Sequence, residues 1–350
     1  MAEIGDFFRQ FAHIFREALH MKKFVDDIRL IYKCCSLYYE DDWKQQDIAE
    51  YLSISRASVS RMLQMGKEMG MVKVEICNPG LLTYDRMERQ LERKLGLREV
   101  IIAEHQPFDT EEEKTRRLSD KAMAYMCHTI RDGDMVGVSM GRTLYNIAQC
   151  KRATVEPIHC TIVPVLGGLS RDNPFEVKIH SNQIAIRMAE TMGGNCIQFF
   201  SPAIFLDRAV LQGFLKEMPI QNQFRYFEKL SMVVMGIGES SLIGSTLVQT
   251  EYMSETEMEQ MIAAGAVGDI CLRFFDKDGN MEPFHSFNDR VASITPESLR
   301  QIDKRVGVTS GSSKARAALG AVRSGCVNVL IIDVDCAQRM MELLEEKETE

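Results

Sequence analysis

The stretch Trp43–Lys67, WKQQDIAEYLSISRASVSRMLQMGK, constrains the fold of this chain more than any other, because its spacing describes two short helices joined by a tight turn. Gln46 to Leu52 places Ile48, Ala49 and Leu52 on one face. Ser53-Ile54-Ser55 breaks that pattern, and Ser55 is suited to cap a second helix beginning at Arg56. The second helix would bury Val59, Met62 and Leu63 and leave Arg56, Ser58, Ser60 and Arg61 available. Ala49 is small where two helices must cross closely, and Ile54 plugs the turn. This is the spacing of a helix-turn-helix, whose second helix enters the DNA major groove. A helical hairpin used only for packing is the alternative on spacing alone.

At 350 residues the chain exceeds the usual single domain, so a small reader and a larger body are expected. No apolar run approaches the ~20 residues needed to span a bilayer, and the first residues lack a basic, apolar and small-residue signal in series. A membrane partner is therefore not expected. The ten cysteines are scattered, with no CxxC pair and no Cys/His cluster at zinc spacing. Several sit in apolar runs such as NCIQFF, where a thiol acts as a small buried hydrophobe. A reduced cytoplasm fits this usage, and neither a metal nor a cofactor is indicated.

The formal charge of -8 looks wrong for a DNA binder, but the local balance is what meets phosphate. Met21–Lys73 holds nine basic and eight acidic residues, about +1, which leaves -9 for the rest. Residues 55–67 carry Arg56, Arg61 and Lys67 and no acid. One copy should bind DNA weakly, so a dimer or higher assembly is expected.

Before the reader, Phe7–Leu19 forms an amphipathic stripe suited to packing against the body or another subunit. A further helix at about Phe24–Tyr39 would complete the reader, Met71–Ile76 alternates like a wing or exit strand, and an Asn78-Pro79-Gly80 turn closes the module. Leu81, Tyr84, Met87, Leu91 and Leu95 mark a linker helix that permits a short coiled contact. The expected boundaries are 1–20 for the amphipathic helix, 21–77 for the reader, 78–96 for the linker and 97–345 for the body. In the body, Glu99–Ala103, Met135–Val138, Cys160–Val165, Asn195–Phe199, Met232–Met235, Asp269–Phe274 and Val327–Ile332 read as apolar strands, with Asn182–Thr191, Asp207–Met218 and Lys314–Ser324 among the helices between them. Such alternation gives a mainly parallel sheet covered on both faces, with ligands bound beyond the carboxyl ends of its strands.

Four segments that follow strands stand out. In Gly137-Val-Ser139-Met-Gly141-Arg142-Thr143, glycines allow a close turn, Thr143 offers a hydroxyl, and a following helix points its first amides at an anion. The spacing is neither Walker A nor GxGxxG, so a phosphate cradle without nucleotide chemistry is expected, with a structural tight turn as the alternative. Gly167-Gly168 and Gly236-Ile-Gly238-Glu239 again place glycines after strands. Asp269 is suited to accepting sugar hydroxyls, and Lys314 in SGSSK to holding phosphate as a point charge. Each residue alone has a plain structural reading, as a cap or a solvated group. His159 and His180 lack a serine or cysteine nucleophile at a strand-to-helix elbow. Asp276, Asp278 and Asn280 in FFDKDGN lack the later ligands of a calcium loop, and a hairpin turn at Asp278-Gly279 explains them.

In order and spacing, WKQQDIAEYLSISRASVSRML, DRMERQLERKLGL, GVSMGRTL, PVLGG, MGIG, AVGDICLRFFDKDG and SGSSKARAALGAVRSGCVNVLIID resemble the SorC family of sugar-binding transcriptional regulators over roughly Asp26–Leu344. The resemblance implies a multidomain chain: an N-terminal all-α helix-turn-helix, with or without a wing, ahead of a C-terminal α/β body of sugar-phosphate-isomerase-like, Rossmann type. It implies operator binding controlled by a phosphorylated sugar or polyol effector, in a homodimer or homotetramer. The Gly137–Thr143 loop, with Ser139, Gly141 and Arg142, would take the phosphate. Gly167, Gly168, Gly236 and Gly238 would line the sugar, and Asp269 and Lys314 would complete the pocket. Gln46, Arg56, Ser58, Ser60 and Arg61 would face DNA. Ser139-Met140 departs from the family's usual Gly-Trp, which exchanges an aromatic wall for a flexible thioether. Ser310–Ser313 and Arg290–Ile294 also depart from the usual glycine-containing versions. An isomerase carrying a DNA-binding unit and a DNA-bridging protein with a degenerate pocket are the competing readings; for the isomerase, Asp269 or Glu239 could be the base, but neither lies in a recognisable acid–base constellation.

Overall fold

The computed structural model describes residues 28–73, 83–150, 156–168, 178–243, 245–249 and 252–348. The Phe7–Leu19 stripe, most of the Met71–Ile76 strand and the Asn78-Pro79-Gly80 turn lie outside them. Two compact units emerge, Met1–Leu81 and Leu82–Glu350.

The first is all-helical where described: α1 over 28–39, α2 Gln45–Tyr51 and α3 Arg56–Glu68. Ile31, Cys34, Cys35, Ile48, Ala49, Val59 and Leu63 form its core, and Leu52, Ile54 and Met62 pack around it. The turn closes as its sequence predicts. The Ile54 N–H donates to the Ala49 carbonyl at 2.9 Å, and the Ser58 N–H donates to Ser55 Oγ at 3.1 Å, so Ser55 caps α3. Ser53 takes the left-handed backbone that the reversal needs.

The second unit is built on a parallel sheet in the order β1-β9-β8-β5-β2-β3-β4. These strands are β1 Glu99–Ala103, β2 Met135–Val138, β3 Thr161–Pro164, β4 Asn195–Cys196, β5 Met232–Glu239, β8 Lys304–Thr309 and β9 Val329–Asp333. Strand period two sends alternate side chains into two separate cores. Val163, Val233, Met235, Leu330 and Ile332 enter one, and Ile162, Met232, Val234, Val306 and Ile331 enter the other. Helices α5 Glu111–Thr129, α6 Arg142–Gln149 and α7 Ser181–Met192 cover the second face. Helices α4 Asp85–Leu95, α8 Ala315–Arg323 and α9 Val334–Glu348 include residues of the first core.

Helix α4 protects the sheet edge. The Glu92 carboxylate accepts the Val100 N–H at 2.9 Å and the Glu88 carboxylate accepts the Ile102 N–H at 2.8 Å, so two amides of the edge strand are satisfied by side chains. Leu91 is buried in the body's core.

Three elements differ from their sequence reading. The single strand expected over Asp269–Phe274 is a hairpin of β6 Ala266–Ile270 and β7 Arg273–Asp276, because Cys271 and Leu272 both adopt positive φ. The helix expected over Asp207–Met218 stops at Phe214, and a new one starts at Met218 with Pro219 in its first turn, where proline is tolerated. The Asp278-Gly279 turn is present, but it leads into a 3-10 turn at Glu282–Phe284 and not into a second strand. The Asp276 carboxylate holds that turn by accepting the Asp278 and Asn280 amides, each at 2.9 Å.

Gly279 has φ +82°, and a Cβ there would lie 2.2 Å from the Ser324 nitrogen and 2.5 Å from the Arg323 carbonyl carbon. Backbone cannot step aside as a side-chain tip can. Gly279→Ala should lose about 2–4 kcal/mol of stability, read from urea denaturation of the whole chain.

Candidate functional site

The sheet order contains one reversal. From β2 the chain steps outward through β3 and β4, whereas from β5 it steps the other way through β8 and β9. The carboxyl ends of β2 and β5 therefore lie side by side with connections leaving in opposite directions, the place where open α/β sheets bind ligands. A cavity of about 80 Å³ opens there.

It brings together Ser139, Gly141, Arg142 and Thr143 after β2, Gly236 and Gly238 from β5, Asp269 from β6 and Lys314 ahead of α8. Three glycines singled out in the sequence do not line it. Gly137 faces the core, where a Cβ would meet Val165 at 2.7 Å and Leu230 at 2.9 Å. Gly167 allows close approach to the Ser201 and Pro202 carbonyls, and Gly168 to the His180 ring. That ring lies 3.1 Å from the Tyr252 hydroxyl. Leu166 lines the cavity in their place, with Met140, Ile237, Glu239, Leu247, Cys271 and Leu272 also contributing. Sequence reading passed over most of these. The glycine signal drew attention to the backbone, and the apolar residues look like any others.

Each wall has a local cause. Gly141 sits at φ +115° as the N-cap of α6 and spends its own N–H on the Ile179 carbonyl at 2.9 Å. The next amides open the helix, where they have no intrahelical acceptor and carry the positive end of the dipole. Ser139 is buried; its Oγ accepts the Gly236 N–H at 3.2 Å and fastens the end of β2 to β5. Gly238 lets the Asp269 carboxylate lie against its backbone, since a Cβ there would meet Asp269 Oδ1 at 2.1 Å. Asp333, at the end of β9, accepts the Gly311 N–H with both oxygens at 3.0 Å and also the Cys336 N–H at 3.0 Å. It thus fixes the loop that delivers Lys314.

The cavity holds opposed charges in poor contact with water. Burial pushes the Asp269 carboxyl up to about 6, resisted by the Leu272 N–H and the Lys314 ammonium. Burial lowers Lys314, which Glu239 and Asp269 counteract while Arg142 adds to the fall. A phosphorylated or otherwise anionic polyol would meet a cation, helix amides and hydroxyl acceptors in one small volume. Among the described residues, no cluster of three His, Cys, Asp or Glu side chains could hold a metal ion. Nor is any helix there long and apolar enough to cross a membrane.

On the reader, Gln46, Arg56, Ser60 and Arg61 are exposed and Ser58 is half-buried. The Ser58 hydroxyl lies 2.9 Å from Ser55 Oγ, and the Gln46 amide donates to Glu50 at 3.0 Å.

The sugar-binding domain family ("Sugar-bind") matches residues 82–342. The chain is 32% identical over 314 residues to the deoxyribonucleoside regulator of Bacillus subtilis, covering 89% of this chain and 97% of that one. It is 28% identical over 322 residues to the sorbitol operon regulator of Klebsiella pneumoniae, covering 91% and 99%. The full-length structure of that sorbitol regulator, SorC, matches with a TM-score of 0.67 over 91% of this chain and 99% of that one. This chain belongs to the SorC family of sugar-binding transcriptional regulators. The family consists of DNA-binding transcriptional regulators and not enzymes. An N-terminal helical region followed by an α/β parallel-sheet body is the architecture it shares with SorC.

Two outcomes follow from the geometry. The folded regulator keeps the Asp269 proton to about pH 6, whereas an unfolded chain releases it near pH ~4. Stability therefore falls as pH rises through that window and levels off above it. Asp269→Asn removes this titration. Its stability relative to wild type, measured by urea denaturation from pH 4 to 7, should improve by roughly 3 kcal/mol as pH rises. Gly137→Ala should lower stability by about 1–3 kcal/mol through overpacking, visible in the same assay.

Proposed function

We propose that this regulator binds a specific operator and that a phosphorylated sugar or polyol, held in the cavity at the β2–β5 switch point, changes that binding. The convergence of the α6 amino terminus, Lys314 and Asp269 on one cavity carries the reading. Phosphate sits on the first amides of α6 with Thr143 and Arg142 beside it, and Lys314 adds a point charge. Asp269 accepts sugar hydroxyls. Gly236 keeps the floor low enough for the ligand to approach the backbone, and Gly238 makes room for the Asp269 carboxylate. The names of the relatives support a sugar-derived effector, since one regulates a sorbitol operon and the other is a deoxyribonucleoside regulator.

The body is read as a sugar-phosphate-isomerase-like, Rossmann-type fold turned to sensing. Arg56 and Arg61 contact the operator from α3, with Gln46, Ser58 and Ser60 at the same face. Two readers joined through their bodies match a pseudo-twofold operator, in a cytoplasmic homodimer or homotetramer. Effector control needs only that two states of the assembly bind the effector with different affinity; the difference appears reciprocally in operator affinity.

Calorimetry against a panel of phosphorylated sugars and polyols tests the site. Lys314→Ala should weaken the best ligand by about 1.5–3 kcal/mol and leave effector-free operator binding unchanged. Equal affinity in the variant would remove Lys314 from the phosphate site. Arg56→Ala with Arg61→Ala should abolish operator retention at fixed salt while helical content and oligomeric mass persist. Unchanged retention would dismiss the reader assignment.

A further inference from the structure

The hairpin turn at the cavity is built from the wrong residues for its shape. Ile270 pairs with Arg273, so Cys271 and Leu272 form a two-residue connection between β6 and β7. Their φ angles are +49° and +66°. Two consecutive positive-φ residues define the turn that suits such a hairpin, and Asn-Gly or Asp-Gly normally fills it. A left-handed backbone crowds any Cβ, and a bulky leucine there is a genuine outlier.

What glycine could not supply is a side chain. The backbone of the turn does useful work, since the Leu272 N–H donates to the Asp269 carboxylate. A glycine at 272 would offer the same N–H without strain. Cys271 and Leu272 are both buried, and both line the cavity beside Asp269. Backbone strain retained at a ligand cavity, where a relaxed residue is available, points to a side chain needed there.

We propose that Leu272 is a specificity-determining residue of the effector cavity: its side chain closes the end next to Asp269 and limits the length of the phosphorylated ligand. The proposal rests on the effector reading of this cavity. The strain itself does not, and it can be measured without a ligand.

Leu272→Ala removes the wall and keeps the strain, Leu272→Gly removes both, and Leu272→Met keeps the volume. Thermal unfolding of the ligand-free chain separates the first two. The glycine variant should melt above the alanine variant by at least ~2 °C, the reverse of their order at ordinary positions. Calorimetry with erythrose 4-phosphate, ribose 5-phosphate, fructose 6-phosphate and sedoheptulose 7-phosphate then reads length selectivity. In the alanine and glycine variants, the affinity ratio of the longer to the shorter phosphate should rise about tenfold or more. The methionine variant should keep the wild-type ratio. An alanine variant as stable as the glycine variant would overturn the strain. Wild-type ratios in both truncated variants would overturn the role of Leu272 in specificity. Failure of the wild type to bind any of the four would overturn the effector reading and the length limit with it, while the melting order would still report on the turn.

Discussion

Strand β5 changes partners part-way along its length. Met232 to Gly236 pair in parallel with β8, and Met232 to Val234 also pair with β2, so this half lies in the middle of the sheet. Ile237 to Glu239 then pair antiparallel with Ile270 to Gly268 of β6. The strand thereby carries the sheet's order beyond its own carboxyl edge and sets a hairpin over the place where a ligand would enter. The other walls are tied to the same strand. The Gly236 amide holds Ser139, and the Ile237 carbonyl accepts the Thr309 hydroxyl at 3.4 Å. Gly238 faces the Asp269 carboxylate across the antiparallel pair. Few side chains need to be long or adaptable, because the backbone delivers them.

That rigidity has an electrostatic cost. Asp269 is half-buried, and the burial that pushes its carboxyl up also draws Lys314 down. Charges removed from water are stabilised only by close, well-formed partners. An anionic ligand with hydroxyls would supply both kinds of partner, an anion for Lys314 and donors for Asp269. Binding would then relieve a penalty built into the empty protein and stabilise the body by mass action.

Much of this was legible in the residues. The reader turn follows from Ser53-Ile54-Ser55, since a capping hydroxyl and a buried plug leave few other outcomes. The site loops were legible because glycine after an apolar strand marks close backbone approach. The same signal is ambiguous about what approaches. At Gly137 it is a packed side chain, at Gly167 a carbonyl and at Gly168 a histidine ring. Strand β8 was not read because Lys304 and Arg305 open it with charge and Gly307 interrupts its apolar run, although it lies centrally between β5 and β9. The Cys271–Leu272 turn carries no glycine, asparagine or proline to announce it. Asp333 looks like a charged strand end until Gly311 is seen to bond to it.

Hydrogen–deuterium exchange of the full chain, with and without the phosphorylated sugar that binds best, tests the placement of the effector most directly. Protection should rise in the amides of 139–144, 236–239, 269–272 and 311–315, the segments that meet at the β2–β5 switch point. Protection confined to the groove lined by Glu112, Arg116 and Cys150 between α5 and α6, or no change in the four segments at saturating ligand, would contradict the account.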